Sequence, residues 1–276
     1  MPQSAVDRHT ARRRAATSMA ATELVGDVAR VLGERGITVM PLKGALLQHW
    51  LYDDPAERPL SDVDLLVRAG DLPDAVDLLK EARYRPTSHA IVDGLVMETR
   101  FGLLLDLHTR LFDQARYRIF TDDLFARGSD DTNLFGAPVR IPCALDVYAH
   151  LIGKFGSDHL DARAEARLDE LGRMGSFIAV SPGAAALHLG RCGMRRVSRY
   201  VLPLVHETTG DSFARKVVDC LPLDPLGRSI AAVTSSVLAG APPRSRMAAL
   251  MAHLMNDSLP RGLRSGVRAL RQQARS

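Results

Sequence analysis

The stretch PLKGALLQHWLYDDPAERPLSDVDLLV, residues 41–67, decides the fold. Its last six residues, Asp62–Val67, alternate and are rich in apolar and β-branched side chains, so they predict a strand. Successive side chains on a strand point to opposite faces, and residues two apart share one. Asp62 and Asp64 therefore project together, while Val63, Leu65 and Val67 turn to the core. Two carboxylates about 7 Å apart along a strand repel each other and lose hydration unless a cation lies between them. A hard divalent ion such as magnesium suits that oxygen-rich pair.

Upstream, Ile37–Met40 is short, apolar and β-branched and predicts a strand. Lys43-Gly44 follows at once, and Ala45–Tyr52 predicts a short helix. At such a strand-to-helix turn glycine lets a phosphate approach the backbone, and the helix N-terminus offers free N–H groups. Lys43 and Arg58 are the nearest cations to a triphosphate there, and Ser61 adds a hydroxyl just before the acidic strand. Residues 53–60, with Pro55 and Pro59, predict a loop. Residues 18–35 carry Leu24, Val25, Val28, Val31 and Leu32 at helical spacing, with Gly36 as the stop.

Downstream, Leu72–Arg83 predicts a helix with Asp71 as its N-cap and the stripe Leu72, Ala75, Val76, Leu79, Ala82. Ile91-Val92 and Leu95-Val96 around Asp93-Gly94 predict a hairpin. Leu103–Leu111 predicts a further strand, with Leu103, Leu105 and Leu107 on one face and Leu104, Asp106 and His108 on the other. An aspartate inside LLLDL is costly if buried alone. Set across a sheet from Asp62 and Asp64, Asp106 completes a three-carboxylate site able to hold two ions. A partner such as Arg100 or Arg110 is the plainer explanation of Asp106, and His108 is expected to serve packing.

Together, PLKGALLQHWLYDDPAERPLSDVDLLV and the later LDLHTRL resemble the minimal nucleotidyltransferase superfamily, whose fold DNA polymerase beta shares. More narrowly they resemble a little-characterised bacterial branch with an LKG…DxD pattern. The resemblance implies an α/β (α+β) fold: a nucleotidyltransferase core with a mixed β-sheet flanked by helices, plus a C-terminal helical domain. It implies that Asp62, Asp64 and Asp106 are catalytic and hold two magnesium ions, with manganese as the alternative. It implies transfer of an NMP from an NTP such as ATP to an acceptor hydroxyl or phosphate, with pyrophosphate leaving. Gly44 carries over to phosphate contact, although Ala45 stands where the wider superfamily has Gly or Ser. Lys43, Arg58, Ser61 and Lys154 complete the expected nucleotide contacts, Lys154 following His150 on one face of a helix. A small molecule or peptide is the expected acceptor. The alternatives are a toxin-like or regulatory enzyme acting on tRNA or protein, and a non-catalytic nucleotide-binding module.

Beyond Pro142 the pattern is mainly helical. The expected division is an N-terminal helical extension over 1–35, a catalytic domain over 36–135 and a helical domain over 136–276. Cys143, Cys192 and Cys220 are too widely spaced for a zinc knuckle or a disulfide framework, and read as reduced core thiols of a cytoplasmic protein. No apolar run approaches the roughly 20 residues of a bilayer span, so no membrane partner is expected. The net charge is +4 and the pI about 9.2. Arg12–Arg14 resemble transit-peptide composition but read better as a basic extension leading into a helix. Arg261, Arg264, Arg268, Arg271 and Arg275 form an acid-free tail that leaves RNA binding open. His159 among Asp158 and Asp161 reads as helix-end charge, and Met247, Met251 and Met255 as core.

Overall fold

The computed structural model describes residues 5–91, 94–112, 116–158 and 164–222, with scattered positions between 229 and 262. The basic tail, His159, Asp161, Met247 and Met251 lie outside the described residues. Two compact units emerge, one from residues 1–111 and 120–143, the other from residues 112–119 and 144–276.

The first unit is built on a five-stranded mixed sheet in the order β1-β2-β5-β4-β3. Its strands are β1 (Met40–Pro41), β2 (Asp62–Leu66), β3 (Arg85–Ile91), β4 (Gly94–Glu98) and β5 (Leu104–His108). β2 and β5 are parallel; the other neighbours are antiparallel. Helices α1 (Ala5–Gly33) and α2 (Lys43–Leu51) pack on β2, and α3 (Leu72–Glu81) packs on α1 and β3. A short helix α4 (Thr121–Arg127) leads into a small hairpin of β6 (Ser129–Asp131) and β7 (Val139–Ile141), whose Arg140 N–H donates to Val39.

Alternation explains the core. Val63, Leu65, Leu105 and Leu107 are fully buried, whereas Leu104, between the core-facing Leu103 and Leu105, is 41% exposed. Along α1, the spacing of Ala21, Leu24, Val25, Val28 and Leu32 puts all five on the buried face. The mixed α/β sheet with flanking helices is the architecture expected from the sequence.

Several local expectations are revised. The first strand is only Met40–Pro41, because residues 37–39 do not pair in the five-stranded sheet. Helix α1 starts well before Ser18 and carries Arg12–Arg14 exposed. It ends at Gly33, and the left-handed Gly36 (φ 72°) closes a turn in which the Ile37 N–H reaches Leu32. Asp71 precedes α3 without capping it. A 3-10 turn over Ala69–Asp71 runs straight into the helix, so Asp71 is already helical and its side chain cannot bend back to the free N–H groups. The expected hairpin forms, but Ile91 pairs with Gly94, so Gly94, expected in the turn, begins β4.

The second unit is helical: α5 (Ala144–Asp158), α6 (Ala164–Phe177), α7 (Pro182–Arg191), α8 (Arg195–Thr209) and α9 (Ser212–Cys220). Tyr148, Ile152, Met174, Leu189, Val201, Val205 and Val217 fill its core. Met255 is buried as expected, and so is Cys192. Cys220 is exposed, which corrects its reading as a core thiol. The buried stripe of α9 runs Ala214, Val217, then Leu221, and leaves position 220 on the outer side. No helix among the described residues is long and apolar enough to cross a membrane.

One polar knot ties α1 to the sheet side of this first unit. Buried Asp27 accepts from the Tyr84 hydroxyl at 2.8 Å and from Arg100 Nη2 at 2.9 Å, with Arg30 at 3.4 Å. Burial and the hydrogen bond to Asp27 raise the Tyr84 pKa, which keeps the phenol a donor. Asp27→Ala strands that donor and is expected to cost about 2 kcal/mol, read as a lower urea midpoint; Tyr84→Phe in the same background should cost little more.

Candidate metal and nucleotide site

The site begins with strand register. In the parallel β2–β5 pair Asp64 stands directly opposite Asp106, and Leu66 opposite His108. Asp62 is two residues before Asp64 on the same face. Asp106 and His108 share the corresponding face of β5, as the alternation predicts. Asp64, Asp106 and His108 offer donor atoms that all lie within 4.8 Å of one another. Asp62 is outside that group of three. It lies at the strand entrance, half-buried, where its Oδ1 accepts from the Ser61 hydroxyl at 3.0 Å.

Asp64 is the buried centre, 6% exposed. Its Oδ1 receives the Lys43 ammonium at 2.6 Å and lies 2.8 Å from His108 Nε2. Burial works to raise this carboxyl's pKa, but the His108 hydrogen bond and the charge of Lys43 outweigh it and hold Asp64 well below the usual carboxylate range. Asp106 goes the other way. Burial is the largest cause of its raised pKa, and the negative charges of Asp64 and Asp62 add to it. Neighbouring carboxylates with opposite shifts mark a charge cluster built around excess negative charge.

Lys43 reaches Asp64 because β1 pairs antiparallel with β2. Met40 and Pro41 face Leu66 and Leu65, and the Leu42 N–H donates to the Asp64 carbonyl. The chain then turns into α2 with Lys43 at φ 40°, a left-handed conformation that costs a non-glycine residue of order 1–3 kcal/mol. Gly44 comes next and is buried. A Cβ there would strike the Leu60 side chain and come within 2.7 Å of Arg58 Nη1. The immediate reason for glycine is thus the seating of Arg58 and Leu60 against the start of α2. Arg58 is half-buried, and its carbonyl accepts from the buried Gln48 side chain at 2.9 Å. The first turn of α2 has no side-chain cap and no acid, which leaves its N–H groups and positive dipole end suited to an anion.

The structure thus brings Lys43, Gly44, Arg58, Ser61, Asp62, Asp64 and Asp106 to one region of the first unit. Lys154 belongs to the second unit, half-buried on α5 one turn beyond buried His150, whose ring meets Phe112 edge-on at 5.5 Å. Two features escaped the sequence reading. His108, expected to serve packing, is a member of the donor cluster; its signal was the two-residue spacing from Asp106. The Lys43–Asp64 ion pair had no local signal, since it depends on β1–β2 pairing. Arg100, the plainer partner considered for Asp106, is engaged with Asp27.

The opposite shifts fix the sign of two stability effects. Asp64, with its depressed pKa, adds stability that is present above the ordinary carboxylate value of about 3.9 and is lost as pH falls through its folded value. Asp106, with its raised pKa, adds stability only below the ordinary value, and that is lost as pH rises through its folded value. At pH 7 without divalent ions, Asp106→Asn should therefore raise stability, by about 0.5 kcal/mol after allowance for solvent screening. Thermal melting in chelator at pH 7 and near pH 3.5 checks this: the gain should vanish at the lower pH. Gly44→Ala should displace Arg58 and Leu60 and cost of order 1–3 kcal/mol, read by the same melts.

The crystal structure of an antigenic nucleotidyltransferase-like protein from Paracoccidioides brasiliensis is similar at 15% identity, over 75% of this chain and 95% of that one, with a TM-score of 0.48. No curated protein matches the chain. Residues 2–168, more than half of the chain and including every strand of the five-stranded sheet, match a family described as uncharacterised nucleotidyltransferase. The chain belongs to that nucleotidyltransferase family.

Proposed function

We propose that this protein transfers a nucleoside monophosphate from an NTP to a hydroxyl or phosphate oxygen of a small-molecule or peptide acceptor, releasing pyrophosphate. The observation that carries the reading is the register of β2 and β5, which sets Asp64 beside Asp106 with Asp62 on the same face. The donor set fits a divalent cation: carboxylates and an imidazole converge within one ion's reach, and the pKa of Asp106 is raised first by burial and then by the charges of Asp64 and Asp62, which a cation would neutralise. Asp62, Asp64 and Asp106 would hold two magnesium or manganese ions. Such ions neutralise the triphosphate and make an acceptor oxygen a better nucleophile.

The protein's own groups do the rest. The N–H groups at the start of α2 and the Arg58 guanidinium over Gly44 receive phosphate oxygens. Lys43, held beside Asp64, adds a positive charge, and the Ser61 hydroxyl orients Asp62. Asp106 takes the proton that an acceptor hydroxyl gives up as its oxygen bonds to the α-phosphorus and the bond to pyrophosphate breaks.

Incubation of the protein and Asp62→Ala/Asp64→Ala with each α-labelled NTP, magnesium or manganese, and cell extract tests the reading. Label should pass into an extract component with wild type and fall at least about 10³-fold in the variant. The labelled component then distinguishes a small molecule or peptide from RNA or protein. Absence of both transfer and metal-dependent NTP binding would sink the proposal.

A further inference from the structure

We propose that His108 is itself a metal ligand, and that its nitrogen biases the site toward manganese over magnesium. This rests on the metal-dependent reading above and extends it from three carboxylates to a mixed nitrogen and oxygen donor set.

The argument is geometric. Two donors at right angles around an ion, each about 2.1 Å away, lie about 3 Å apart. His108 Nε2 and Asp64 Oδ1 are 2.8 Å apart, and the Asp106 carboxylate completes a cluster whose donors all fall within 4.8 Å. A proton shared between nitrogen and oxygen satisfies the same 2.8 Å, so the ring tautomer decides between ligand and hydrogen-bond donor. Placement favours the ligand. His108 is half-buried, with a side chain 18% exposed, on the same face of β5 as Asp106, and its ring comes to the one carboxylate at the centre of the site. A histidine needed only to neutralise Asp64 would be redundant, because Lys43 already meets the same oxygen at 2.6 Å. Magnesium is hard, favours oxygen and sheds water reluctantly. Imidazole ligation suits first-row transition ions, and of these manganese also accepts carboxylates readily. An Asp64–Asp106–His108 set therefore discriminates between two ions that an all-carboxylate set treats more alike.

The test reads the ion directly. Metal-free full-length protein is titrated with Mn2+, followed by electron paramagnetic resonance, and Mg2+ is then used as competitor. Pulsed spectra of the bound Mn2+ report any directly coordinated nitrogen. We expect imidazole nitrogen coupling in the wild type, its loss in His108→Gln, and at least a tenfold fall in the Mn2+-to-Mg2+ affinity ratio in that variant. Bound Mn2+ that is lost in Asp64→Asn and Asp106→Asn, yet shows no nitrogen coupling, would overturn the ligand assignment and leave the metal-dependent reading standing. Mn2+ binding indifferent to Asp64→Asn and Asp106→Asn would remove both. If His108→Gln fails to fold by circular dichroism, the wild-type spectrum still decides, because absence of nitrogen coupling there is sufficient to reject the proposal.

Discussion

Side-by-side carboxylates in the middle of a sheet are the constraint around which the first unit is organised. The parallel pairing of β2 with β5 places Asp64 opposite Asp106, and nothing in hydrophobic packing asks for that. Val63, Leu65, Leu105 and Leu107 bury the other face and fix the register, since a one-residue slip would send these four to the polar side and both aspartates to the core. The apolar core therefore enforces a juxtaposition that electrostatics opposes. The cost shows on Asp106, whose proton affinity rises through burial and the charges of Asp64 and Asp62. Relief on Asp64 comes from Lys43 and His108. Packing and charge thus oppose each other at one point of the fold, and the proposed metal binding would relieve that opposition.

Most of this was legible in the sequence, for a physical reason. Period-two alternation is local, so Asp62, Asp64, Asp106 and His108 could each be assigned a face from their immediate neighbours. The acidic strand, α3 and the hairpin before β5 follow from the same kind of local pattern. What was not legible depends on partners distant in sequence. Ile37–Met40 has strand composition, yet only Met40 and Pro41 pair in the sheet, because pairing is decided by β2 and not by propensity. Gly44 looked like a phosphate-approach glycine. Its crowding by Leu60 and Arg58 arises from a loop that folds back 14 to 16 residues later. The role of His108 was open in the same way: the sequence places it beside Asp106, but its meeting with Asp64 requires the β2–β5 register.

The second unit shows the complementary case. Its helices follow from apolar stripes, and residues such as Tyr148 and Val201 bury as helical periodicity requires. Helical packing alone carries no chemical signature comparable to an acid in a leucine strand. The sequence therefore speaks clearly about chemistry only in the first unit, and the family match, ending at residue 168, reaches only the first part of the helical unit.

Lys43 makes the last link between strain and function. Its backbone sits at φ 40°, where glycine would be far less strained and lysine loses of order 1–3 kcal/mol. A position chosen for stability alone would carry glycine or asparagine. The lysine must be kept for what its side chain does, and in this structure that is a 2.6 Å pair with the most buried carboxylate of the site. An ion pair so placed does not by itself offset the loss, because taking Asp64 and part of Lys43 out of water consumes much of their attraction. In the proposed function the ammonium also serves a bound state, with a polyanion at the adjacent start of α2. The strained backbone, the uncapped helix end and the crowded carboxylates are then three expressions of one design. Each is unfavourable in the free protein, and the proposed binding of a cation and a phosphate chain would offset all three together.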